Sequence, residues 1–137
     1  MRIFRDHGGC VILLFAVAVS SAPAQRVAQQ TQRTWRFESD HVCITNAFPG
    51  ARLSDCQRVA RHEYRLVVRP ENQPVNNSAW YAFRVDVQEA VTLTVHLVYE
   101  GGRHRYHPHL SPDGRVWHVL SAERYRHDRA QHSATLT

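Results

Sequence analysis

Apolar and polar residues alternate with a period of two through much of this chain. Tyr64, Leu66 and Val68 alternate with Arg65, Val67 and Arg69, and Pro70 closes that run. Tyr81, Phe83, Val85 and Val87 alternate with Trp80, Ala82, Arg84 and Asp86, after the polar turn Asn76-Asn77-Ser78. Val91, Leu93, Val95, Leu97 and Tyr99 then alternate with Thr92, Thr94, His96 and Glu100. Successive side chains of a strand point to opposite faces, so each run predicts a strand buried on one side. Tyr81, Phe83, Leu93 and Leu97 are the expected centre of a shared core. Trp35 to Glu38, Val42 to Ala47 and Leu53 to Val59 read as earlier strands, with Phe48-Pro49-Gly50 forcing a turn between the last two. Gly101-Gly102 and Asp113-Gly114 supply hairpin turns leading to His104–Tyr106 and to Trp117–Leu120.

Strands at intervals of about 8–12 residues, each bounded by Pro, Gly or Asn, argue for sheet packed on sheet. The expected fold class is all-β, an antiparallel β-sandwich, with a disordered or helical N-terminal signal segment and a frayed C-terminal tail. Arg2 and Arg5, the apolar run Val11 to Val19 and the small residues ending at Ala24 form a secretory leader pattern. The expected divisions are a signal peptide over 1–24, a flexible lead-in over 25–34, the sandwich over 35–121, and a tail or truncated interdomain linker over 122–137. Nothing beyond the leader approaches the roughly 18 apolar residues of a membrane span, so a secreted or periplasmic location is expected.

Export alters the meaning of the cysteines. Cys10 leaves with the leader, and Cys43 and Cys56 remain as an even pair in an oxidising compartment, which predicts a disulfide between them. The net charge of +5 comes entirely from arginine, since the chain has no lysine. Those arginines are scattered among acids instead of forming a stripe, which argues against nucleic acid as a partner.

The blocks Asn76 to Val85, Tyr99-Glu100-Gly101-Gly102-Arg103-His104-Arg105-Tyr106 and Leu110-Ser111-Pro112-Asp113-Gly114-Arg115-Val116-Trp117 carry a resemblance. Together they look like the N-terminal β-sandwich accessory domain of secreted bacterial zinc carboxypeptidases of the cytosolic-carboxypeptidase-like branch. The resemblance runs from near Phe48 to near Leu120. It implies an accessory role: docking on a catalytic domain and shaping substrate access, in a truncated or orphan fragment.

The catalytic half of such a family is missing here. A zinc carboxypeptidase needs His-x-x-Glu, a distant second His and a separate Glu as general base. No histidine in this chain has Glu three positions later; His96 to Glu100 is one step too long and His62-Glu63 is adjacent. No enzymatic activity is therefore expected of the residues present, and zinc is expected only in a catalytic domain outside this chain. His104, His107 and His109 are the one local cluster with metal-like spacing, although Pro108 interrupts it. Ser111 to Trp117 resembles the Asp-box hairpin of sialidases, where a turn sits over a tryptophan anchor, but is a residue shorter. A glycosidase would need a positioned carboxylate pair, and the acids here have no obvious partners.

Trp80, Arg84 and His96 share the outward side of the alternation, and are the expected docking or ligand surface. The alternative function is an exported carbohydrate- or peptidoglycan-binding module using such exposed aromatics. A small metal-binding envelope protein built on His104, His107 and His109 is the third reading.

Overall fold

The computed structural model of the chain describes residues 30–71 and 79–137. The expected signal peptide, the first half of the lead-in and the turn Asn76-Asn77-Ser78 lie outside the described residues. In chain order the strands are β1 (Thr34–Phe37), β2 (Val42–Thr45), β3 (Asp55–Ala60), β4 (Glu63–Val68), β5 (Arg84–Val87), β6 (Thr94–Tyr99), β7 (His109–Leu110), β8 (His118–Val119), β9 (Tyr125–Asp128) and β10 (Ser133–Leu136). Two short 3-10 turns, Glu38–Asp40 and Ala122–Arg124, complete the elements. The fold is all-β, as the alternation predicts. No helix among the described residues is long and apolar enough to cross a membrane.

One sheet has the order β1-β2-β5 and a second the order β3-β4-β6-β10-β9; β7 and β8 form a separate hairpin. The two larger sheets face each other across one core. Val42 and Ile44 come from β2, Tyr64, Leu66 and Val68 from β4, and Val95, Leu97 and Tyr99 from β6. The inward residues of β4 and β6 are the ones that the period-two pattern selects. Of the four expected core residues, Leu97 is fully buried, and Tyr81, Phe83 and Leu93 are partly buried and packed against the cluster.

Rows of cross-strand neighbours tie the larger sheet together. Cys56, Leu66, Leu97, Ala134 and His127 form one row, and Arg58, Tyr64, Val95, Leu136 and Tyr125 the next. Such rows are the units in which a sheet gains side-chain packing.

Three expectations need correction. First, β4 and β6 pair in parallel, Glu63 with Thr94 through Val68 with Tyr99. Between them the chain leaves for the other sheet, contributes β5 there, and returns in its original direction. A parallel neighbour requires a long crossover of this kind. Second, residues 122–137 are not a frayed tail. β10 lies between β6 and β9, paired antiparallel to both. The segment reads as polar because its inward positions are a small residue, Ala134, and a histidine, His127, beside Tyr125 and Leu136, while Arg126, Asp128 and Thr135 take the other positions. Third, His104–Tyr106 forms no strand, and the extended run before Asp86 is regular only from Arg84. Upstream of it a single bridge joins Arg52 to Ala82.

Candidate functional site

The hairpin β7–β8 is built on a side-chain-stabilised turn. Asp113 Oδ1 accepts hydrogen bonds from the backbone N–H groups of Arg115 (2.8 Å) and Val116 (2.9 Å), and Ser111 Oγ accepts one from Gly114 N–H (2.9 Å). The N–H groups of Val116 and Arg115 hold the Asp113 carboxyl below the usual carboxylate range. Gly114 takes φ +72°, where an L side chain is strained. Asp113-Gly114 is thus the turn that the sequence predicts, fixed by its own side chain.

The residues flanking this turn are not packed beneath it. Trp117 is 59 % exposed and Leu110 63 %, with Val116, Val119 and the preceding Tyr106 also open to solvent. The expectation of a buried tryptophan anchor is therefore corrected: the loop is organised by Asp113 and Ser111, and Trp117 stands outside the core. Register pairs Leu110 with His118 and Val119 with His109, so Leu110 stands on one face of the hairpin, and Val119 with Trp117 two positions before it on the other. Two exposed apolar side chains on one face beside a braced turn mark an interaction surface more often than a lone exposed residue does.

The expected surface of Trp80, Arg84 and His96 does not assemble. Arg84 lies on β5 of the three-stranded sheet and pairs with Asp86 at 3.1 Å. His96 lies on β6 of the other sheet, where Nε2 meets Glu63 Oε1 at 2.7 Å and Nδ1 meets Thr135 Oγ1 at 3.2 Å. The outward faces of two packed sheets point away from each other, so these two side chains cannot share a patch. Trp80 is half-buried ahead of β5.

His104, His107 and His109 also diverge. His104 is buried, with Nδ1 2.7 Å from Tyr99 Oη, and its ring lies among those of Tyr81, Tyr125 and His127. Burial, then the neighbouring His127 and His107, push its pKa down to about 4. His107 Nε2 instead meets Leu120 O at 3.0 Å, and exposed His109 turns Nδ1 to His107 O at 2.9 Å. Among the described residues no three His, Cys, Asp or Glu side chains converge as metal ligands. The metal-like spacing fails because His104 leaves for the core while His107 and His109 each turn a ring nitrogen to a backbone carbonyl.

The predicted Cys43–Cys56 pairing meets a similar obstacle. Both are free thiols. Val42 and Ile44 face the core, so Cys43 between them faces outward, where Arg36 approaches its sulfur at 3.4 Å. Cys56 is inside the core cluster, and burial followed by the Asp55 charge pushes its thiol up to about 12. A sheet separates the two sulfurs.

Sequence reasoning missed Asp40. Its side chain is fully enclosed, and its carboxylate accepts from Arg58 Nε (2.8 Å) and Nη2 (3.0 Å), Tyr64 Oη (2.7 Å) and His62 N–H (3.1 Å). Arg58 holds the Asp40 carboxyl well below the usual carboxylate range against the opposing effect of burial. The set links the β1–β2 connection to β3 and β4, a structural clasp around a buried carboxylate. Nothing in the sequence pairs an acid with an arginine 18 positions later.

Comparison with known proteins adds no relative: no family model, curated protein or solved structure matches this chain.

Proposed function

We propose that this chain is a non-catalytic accessory β-sandwich that docks on a second protein domain through the tip of β7–β8. The observation that carries the reading is the exposed pair Trp117 and Val119, on one face of the hairpin beside a turn braced by Asp113. Aromatic and aliphatic side chains held rigidly in water lose little entropy when covered, and tryptophan is prominent among residues that dominate binding energy. The expected partner is a zinc carboxypeptidase catalytic domain, in line with the sequence resemblance, whose blocks include this hairpin. Zinc would belong to that partner.

The test is binding of the purified chain to a purified zinc carboxypeptidase catalytic domain encoded in the same genome. Saturable binding is expected, with loss in a Trp117→Ser/Val119→Ser variant whose melting temperature is unchanged. No binding, or binding indifferent to that double substitution, refutes the proposal. Binding to glycan or peptidoglycan that requires Trp117 would replace it with the carbohydrate-module reading.

A further inference from the structure

A second surface, to which β7–β8 contributes nothing, is organised around Arg52. This residue is only 8 % exposed, yet it forms no ion pair among the described residues. Its Nη2 donates to Arg69 O at 3.1 Å, and its Nε has no partner among the described residues. Enclosing a guanidinium that always carries charge is costly unless an anion or a full set of acceptors compensates.

Arg52 lines a cavity of about 500 Å³ together with Gln30, Thr31, Arg33, Ser54, Asp55, Arg69, Pro70 and Glu71. Gln30 also places a buried amide there, with neither Nε2 nor Oε1 partnered among the described residues. Buried polar groups are ordinarily satisfied, and two residues of this lining carry atoms that are not.

The walls are fixed in advance. Asn46 is buried, accepts from Arg33 N–H at 2.6 Å, and donates to Leu53 O at 2.7 Å and to Thr31 O at 3.1 Å. Arg52 exchanges two backbone hydrogen bonds with Ala82, at 2.7 and 3.0 Å. A donor held this way needs little rearrangement to receive a ligand.

The charges select among oxyanions. Arg69 is already matched by Glu100 at 2.8 Å. That leaves Arg33 and Arg52 facing Asp55 and Glu71, a nearly balanced lining. With no net charge in that remainder, nothing offsets the greater cost of desolvating a second negative charge, so a monoanion is favoured over a dianion.

We propose that this cavity is a binding site for a small ligand bearing one carboxylate, received by the Arg52 guanidinium, with Arg33 assisting at the rim. The guanidinium fork matches a carboxylate in two parallel hydrogen bonds, and Ser54, Thr31 and Gln30 supply neutral donors and acceptors for the rest of the molecule.

Calorimetric titration of the whole chain with propionate, and separately with inorganic phosphate, at ionic strength held constant with chloride tests this. Saturable propionate binding is expected, tighter than that of phosphate. Arg52→Gln should weaken it about tenfold or more, the scale of one charge-assisted hydrogen bond lost. Arg129→Gln, an exposed arginine remote in sequence from the lining, should change nothing. If Arg52→Gln does not fold, Arg33→Gln decides, with a several-fold weakening expected. No saturable heat with propionate, equal affinity in the folded Arg52 or Arg33 variant, or tighter binding of phosphate than of propionate would each overturn the assignment.

Discussion

Ala134 gives the sharpest test of how the sheet is closed. It is 1 % exposed, opposite Leu97 on β6 and His127 on β9. Leu97 is itself fully buried, so Ala134→Leu must fit three further carbons into occupied space. Overpacking of this kind costs about 1–3 kcal/mol. For a folded unit of about 100 residues each kcal/mol shifts the melting temperature by about 4–8 °C, which predicts a fall of about 4–24 °C. Ala130→Leu is the matched control, because Ala130 is exposed in the turn before β10; surface changes usually stay within about 0.5 kcal/mol. Thermal unfolding followed by far-ultraviolet circular dichroism measures both variants. A frayed terminus would treat the two alike, and equal melting temperatures would refute the placement of β10 in the sheet.

Other expectations follow from the same geometry. Leu97→Ala should cost about 2–5 kcal/mol in urea unfolding, since the residue is enclosed by both layers. Asp40 titrates below its ordinary value of 3.8 in the folded chain, so its contribution to stability is complete above that value and is lost as pH falls below it. Arg58→Met should lower stability at neutral pH and flatten this acid dependence; an unchanged acid slope would count against the clasp. His104 is held neutral, with a folded pKa of about 4 against an ordinary 6.5, so the unfolded chain binds the extra proton first. Stability should be full above pH 6.5 and decline towards pH 4, and His104→Phe should remove that decline from a pH series of melting temperatures. A thiol reagent should label Cys43 in the native chain and reach Cys56 only on unfolding; a Cys43–Cys56 disulfide recovered by mass spectrometry would contradict the separation of the two sulfurs.

The sequence made β4 and β6 legible because their inward residues are bulky aliphatic or aromatic: Tyr64, Leu66 and Val68, then Val95, Leu97 and Tyr99. It also marked the Asp113-Gly114 turn, whose chemistry is local. What it concealed depends on partners distant along the chain. Alternation assigns a face but not a sheet, so Arg84 and His96 appeared to share a surface although β5 and β6 belong to different layers. Ala134 is too small to signal burial in a hydropathy pattern. His104 carries the same letter as exposed His109, and only the hydroxyl of Tyr99 and the surrounding rings distinguish them. Arg52 follows Gly50-Ala51 in what reads as a turn, and neither its enclosure nor its cavity has a local signature.

The seat of β10 has a consequence for how the chain reaches its final form. Until residues 133–136 have emerged from the ribosome, β6 has only β4 beside it and offers an open row of amide and carbonyl groups on its other side. Open rows of that kind recruit strands from other molecules. Assembly of the larger layer therefore waits on residues 133–136, and a chain cut shortly before Ser133 would be a sticky intermediate, not a smaller working domain.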